Sequence, residues 1–301
     1  MISNKIKALL AITLSTSIIG LSYVFIKTGV KSNLPLDLLS DRLTIAAILL
    51  LILRQLHCIR INKISNKQRK RIISLSLLYP IGFFSFQILG IRLIPASEAS
   101  LIYTILPVVS LLISAIILKE KTTFSQKIGV ALSVGGVLYI ALQSSNNITP
   151  DYWGYFFIFC SLLFIAFYFV FLKKIVQEVS VITTTYYILL YGALITNIIN
   201  LCIYIVSGNT LVSYFQRFSD LNYIYIILFL GILSTLMTSL FTNYSLRHLP
   251  VSLVGAFNNL SPIIGVFAGI FILHENLYSY YIYGGIIVLI GITMSTTINK
   301  K

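Results

Sequence analysis

From residue 8 to residue 298 the sequence is written in apolar runs, ten of them. Each has about the 20 residues that a helix needs to cross a bilayer. They lie near 8–26, 34–53, 73–91, 96–118, 126–143, 153–172, 183–206, 222–245, 251–273 and 279–298. The longest polar connections, 54–72 and 207–221, leave no room for a soluble domain. Only 10% of the residues are charged, against about 25% in an ordinary soluble domain. With 57% hydrophobic residues in 301, the apolar surface exceeds what a water-soluble fold can hide. The expectation is an all-α polytopic membrane protein with ten transmembrane helices.

Basic residues fix an expected orientation, because cytoplasmic loops collect Lys and Arg. With both termini cytoplasmic, one face holds seventeen of them. These are Lys5, Lys7, the seven in the block Arg54–Arg71, Lys119, Lys121, Lys127, Lys173, Lys174, Arg247, Lys300 and Lys301. The other face holds four, Lys27, Lys31, Arg92 and Arg217, and Arg42 lies within a span. The net charge of +14 then lies mostly beside anionic headgroups. Membrane lipid is the expected partner of that charge and nucleic acid is not, since the 54–71 block is interrupted by Ile and Leu and flanks two spans. The run behind Lys5 and Lys7 is long for a signal core and lacks a small-residue exit, so it reads as the first span. Cys58, Cys160 and Cys202 suggest no disulfide framework.

The sequence also repeats itself. Residues 91–137 laid without a gap on 246–292 match at Arg92, Pro95, Ser97, Pro107, Ile117, Leu118, Glu120, Gly129 and Gly136. Each meets an identical residue 155 positions on, so Pro107 meets Pro262 and Glu120 meets Glu275. The expected organisation is two five-helix repeats, 1–147 and 148–301. Five is odd, so the halves enter the membrane in opposite senses, the inverted-repeat arrangement of many secondary transporters. Pro107 and Pro262 cannot donate to the carbonyls of Tyr103 and Asn258. Kinks beside a central cavity are expected there, with packing alone as the plainer alternative. Glu120 and Glu275 close their spans and read as residues that hold turns rather than as proton relays.

"LIPASEASLIYTILPVVSLLISAIILKEKTTFSQKIGVALSVGG" (93–136) resembles the EamA-type signature of the drug/metabolite transporter superfamily. "GILSTLMTSLFTNYSLRHLPVSLVGAFNNLSPIIGVFAGIFILHENLYSYYIYGGIIVLIGI" (231–292) is similar to that family's C-terminal half. "GLSYVFIK" (Gly20–Lys27) resembles its opening G-x-x-F-x-x-x-K, and "LPLDLLSDRLTIAAILL" (34–50) its second span with one Arg. The resemblance implies ten helices, a substrate cavity between the halves and movement of small organic solutes across the cytoplasmic membrane. It names no solute, direction, coupling ion or oligomeric state.

Ionisable groups inside the spans are few, which makes each one a candidate site residue. Asp37, Asp41 and Arg42 share one span, and Glu98 opens another. Asp41 and Arg42 read either as a polar binding cluster or as an ion pair near the outer leaflet. Asp41 and Glu98 are the coupling candidates. A phosphorylated cargo would want Lys or Arg deep in the bundle, and with Arg42 the only base even partly so placed it is not favoured. A neutral, zwitterionic or modestly cationic metabolite is expected, such as an amino acid, a nucleoside or S-adenosylmethionine. The candidate substrate-binding residues are Tyr23, Arg42, Tyr79, Gln87, Tyr103, Thr104, Tyr168, Asn258 and Asn259, with Ser22, Thr238 and Thr242 as further wall residues. A lipid flippase and a passive channel are the alternatives. His57, His248 and His274 sit at loops or span ends and no catalytic motif is present, so no catalytic residue, metal or cofactor is expected.

Overall fold

The computed structural model describes residues 4–32, 34–118, 124–144, 151–207, 211–249, 251, 254, 257–258 and 260–296. Every regular element among them is helical. In order these are α1 (Asn4–Ser32), α2 (Pro35–Gln55), α3 (Asn66–Ser76), α4 (Phe83–Leu93), α5 (Ala96–Ile102), α6 (Leu106–Leu118) and α7 (Phe124–Ser144). Then follow α8 (Tyr152–Glu178), α9 (Val181–Val206), α10 (Leu211–Gln216), α11 (Leu221–Leu228), α12 (Thr238–His248), α13 (Leu260–Leu273) and α14 (Ser279–Thr296). Among the described residues five helical stretches are long and strongly apolar enough to cross a membrane: Asn4–Lys31, Asn66–Leu93, Tyr152–Glu178, Val181–Val206 and Leu221–His248. Shorter apolar helices accompany them.

Local chemistry sets the helix starts. Pro35 occupies the first turn of α2, where its missing N–H costs nothing. Ser65 and Gln68 form a reciprocal capping box on α3. The side chains of Asp151, Ser180 and Asp220 cap α8, α9 and α11.

The bundle is inside-out relative to a water-soluble protein. Leu138 is 56% exposed and Phe271 72%, whereas Ser15, Arg42 and Thr184 are 0% exposed. Only hydrocarbon as solvent makes that distribution favourable. Packing is reciprocal. α1 lies against α12 and α13, and α8 lies against α4 and α6. α2 pairs with α9, and α7 with α14. Glycines set the closest approaches: a Cβ on Gly136 would stand 2.9 Å from the Gly284 carbonyl oxygen, and one on Gly284 3.1 Å from that of Gly136. Such contacts let backbones meet where lipid gives no hydrophobic drive for helix association.

Two lysines repeat one device. Lys27 of α1 donates to the carbonyls of Ile91 (2.8 Å) and Ile94 (2.7 Å) at the end of α4. Lys173 of α8 donates to those of Leu246 and Leu249, both at 2.5 Å, at the end of α12. The accepting pairs are again 155 residues apart. Each cation satisfies the carbonyls that a helix C-terminus leaves without partners.

Candidate functional site

The stretch Asn66–Leu93 is broken at Tyr79–Pro80, where Tyr79 is extended (φ −140°, ψ 125°) between α3 and α4. The position 155 residues on, Ser234, falls in a widened turn, Phe229–Met237, between α11 and α12. There Thr235 Oγ1 donates to the carbonyl of Leu230, five residues back, at 2.7 Å. A proline opens one span and hydroxyl back-bonding opens the other.

The proline segments 107 and 262 differ from expectation in an informative way. Pro107 is the second residue of α6 and Pro262 the third of α13, so each stands in a first turn rather than bending an unbroken helix. The carbonyls they cannot serve are not free. That of Tyr103 accepts from the Leu106 amide, and that of Asn258 from the Ser261 amide at 3.1 Å. The chain tightens by one residue at both places, which turns the side chains of Tyr103 and Asn258 inward.

Between these four irregular places lies a cavity of about 60 Å³. Tyr23 of α1, Tyr79, Gln87 of α4, Tyr103, Tyr168 of α8 and Asn258 all line it. Ser22, Thr238 and Thr242 line it as well. Four named candidates stand elsewhere. Thr104 is buried, and its hydroxyl is turned back to the Leu101 carbonyl (2.6 Å). Arg42 stands one side chain behind the wall. Asp41 and Glu98 are engaged at other places. Asn259, like Glu120, lies outside the described residues.

The walls are aromatic and hydroxylic. Tyr79 packs on Tyr168 (ring centroids 4.7 Å), Phe83 and Phe84, and Tyr23 on Tyr103 (5.7 Å). The phenols are anchored from behind: Tyr79 on Ser239 (2.9 Å), Tyr168 on Asn243 (3.1 Å) and Tyr103 on Ser161. Two buried amide atoms have no hydrogen-bond partner, Gln87 Oε1 and Asn258 Nδ2, an acceptor and a donor in the same wall. Unpaired buried polar atoms cost about 1–3 kcal/mol each, and both belong to side chains that line the cavity. Phe83, Phe84, Phe169, Ser234, Ser239, Asn243 and Ser261 also line it. These were not singled out from the sequence. Phenylalanines and hydroxyls are common in every span, and only the packing separates an inward one from the rest.

Arg42 was expected beside Asp41 and is not paired with it. Its Nε donates to Thr235 Oγ1 (3.0 Å), its Nη2 to Ser234 Oγ (3.2 Å), and the guanidinium carbon lies 3.7 Å from the Phe84 ring centroid. Asp41 faces the opposite way and takes Arg217 instead, at 2.7 and 2.9 Å, with Tyr223 donating at 2.8 Å. Consecutive helical residues point about 100° apart, so chain neighbours need not meet. Asp37 joins the cluster at 3.4 Å from Arg217, with Asn200 donating to it. Burial alone would lower the proton affinity of Arg217, but its bonds to Asp41 and the charges of Asp41 and Asp37 outweigh that and hold its pKa above the usual range. Glu98 is buried and accepts from Tyr155 (2.6 Å) and Tyr281 (2.9 Å). Glu275 takes the first two amides of α5, Ala96 at 2.9 Å and Ser97 at 3.0 Å.

Apolar helices around a cavity walled by aromatic, hydroxyl and amide side chains, with broken helices where the cavity lies, define a multi-pass membrane protein with an internal site. The chain belongs to the EamA-like transporter family, whose sequence profile matches residues 6–142 and again 152–297. It is 33% identical over 296 residues to the uncharacterized transporter YcxC of Bacillus subtilis (strain 168), covering 98% of this chain and 94% of that protein. It is 27% identical to an uncharacterized transporter of Archaeoglobus fulgidus, covering 95% and 97%. A solved crystal structure superposes with a TM-score of 0.69 at 14% identity, covering 94% of each chain, and at that identity it speaks for the fold alone.

Proposed function

We propose that the protein is a secondary transporter that moves a small polar organic metabolite, an amino acid or a related zwitterion, across the cytoplasmic membrane. The halves 1–147 and 148–301 are two oppositely inserted repeats of five spans each, and both termini face the cytoplasm. The observation that carries this reading is the placement of the cavity. It lies between the two segments that match the family, and both line it. Its 60 Å³ is room for a few water molecules. A metabolite therefore enters only when the walls part, and the reciprocal packing of α1 on α12–α13 and of α8 on α4–α6 supplies two bodies that can rock. Aromatic faces with one unpaired donor and one unpaired acceptor suit a guest that has an apolar body and both kinds of polar group. S-adenosylmethionine is the bulkier cargo of this kind. Asp41 is bound to Arg217, so Glu98, held by two phenols, is the coupling candidate.

Counterflow in proteoliposomes tests the reading. Labelled amino acids, S-adenosylmethionine and nucleosides are offered as separate pools against the same unlabelled solute inside. Saturable, trans-stimulated uptake of one pool is the expected result. Flux that neither saturates nor responds to internal solute would mark a channel, and no counterflow with any pool would point to a lipid-like cargo.

A further inference from the structure

We infer that the transported molecule carries a carboxylate and that Arg42 is its counter-ion, which deepens the carrier reading above and rests on it. The chain has eight carboxylate side chains, and seven are among the described residues. Every one of the seven is engaged away from Arg42. Asp37 and Asp41 face Arg217, Glu178 pairs with Arg71 and Glu98 accepts from two tyrosines. Asp151, Asp220 and Glu275 cap helices. Arg42 is 0% exposed, lies within ion-pair distance of no described carboxylate, and its Nη1 has no hydrogen-bond partner.

A buried guanidinium without counter-charge is costly in a low-dielectric interior and marks a functional position in a membrane protein. Its position gives the use. Of the groups that hold it, Ser234 and Phe84 both line the cavity, so the charge stands directly behind the wall. Among the described residues no charged side chain lines the cavity itself, and Arg42 is the charge held by its wall residues, so it biases the field inside toward positive. That field favours a carboxylate and repels an ammonium or sulfonium that brings no negative charge. Asn258 Nδ2, the unpaired donor of the wall, is a second ligand for the same group. The aromatic faces take the apolar body. The cargo class is an organic acid or amino acid, and a simple organic cation is excluded.

The test uses four probes with a common phenyl body: 3-phenylpropionate, L-phenylalanine, 3-phenylpropanol and phenethylamine. Each is titrated against the full-length protein in lipid nanodiscs, with ligand-induced thermal stabilisation as the readout. The two carboxylates are expected to bind at least tenfold more tightly than phenethylamine. Arg42→Gln is expected to erase that margin while leaving the alcohol's binding within about twofold, and Arg42→Lys to keep part of it. Retained alcohol binding shows that the variant is folded. The proposal is overturned if phenethylamine matches the carboxylates, if the margin survives in Arg42→Gln, or if no probe binds. Counterflow by a solute without a carboxylate would defeat this inference and leave the carrier reading standing. The absence of counterflow with every pool would defeat the carrier reading itself.

Discussion

Arg217 grips both carboxylate oxygens of Asp41, at 2.7 and 2.9 Å, from a segment 176 residues further along the chain. The pair joins the turn before α11 to α2, and so ties the second half to the first. Both side chains are nearly inaccessible, at 5% and 6%. Arg217→Gln leaves Asp41 and Asp37 close together and uncompensated, at a cost of about 3–5 kcal/mol. Adding Asp41→Asn to that variant is expected to recover much of the loss. Thermal unfolding of the purified protein checks both, and equal instability of the single and double variants would contradict the pairing.

The lysine caps predict matched losses. Lys27→Met frees three helix-end carbonyls, the bond to Arg92 being long at 3.4 Å, and Lys173→Met frees two; each is expected to cost about 1.5–3 kcal/mol. The two values should be of similar size, because the two short bonds of each lysine go to carbonyls that correspond in the two halves. A large loss in one and none in the other would show that the devices are not equivalent.

At the start of α5, Glu275→Ala removes the acceptor of two amides and the negative charge at a helix N-terminus. The expected loss is about 1–2 kcal/mol, with Glu275→Gln losing less because it keeps an acceptor. Unfolding midpoints of the two variants, ranked against the wild type, decide it. Equal losses in the two variants would mean that the charge, which both remove, matters more than the bonds.

Glycine substitutions separate contact from conformation. Gly136→Val forces α7 from α14 and is expected to cost about 1–3 kcal/mol. Gly135→Ala and Gly285→Ala meet open space and are expected to be neutral or stabilising by up to about 1 kcal/mol. Expression level and unfolding temperature of the three variants give the comparison.

Apolar runs, a terminal Glu and a repeated proline are legible because lipid and helix geometry leave few other solutions. Tyr23, Tyr79, Gln87, Tyr103, Tyr168 and Asn258 were named from the sequence and line one cavity. Their amide and phenol groups are conspicuous in apolar helices. Two things were not legible. Arg42 was read with its chain neighbour Asp41, whereas the carboxylate is taken by a residue that only folding brings close. Pro80 stands in mid-span, but the residue 155 positions on is Thr235, so no repeated proline marks the break at Tyr79–Pro80. The halves differ at this place: Arg42 bonds to the widened turn in one, and Gly192 lies against Pro80 in the other. A repeat shows where two halves agree and is silent where they have diverged.

As the carrier proposed above, the protein opens the cavity beside Tyr79 and Ser239 to each side of the membrane in turn. In a variant with Cys58, Cys160 and Cys202 replaced by Ser, Ser239→Cys places one thiol in the cavity wall. Membrane-impermeant thiol reagents are then applied separately to right-side-out and inside-out vesicles. The account predicts modification from both sides, slowed in each case by the solute that supports counterflow. Modification from one side alone, or at a rate indifferent to that solute, would contradict it.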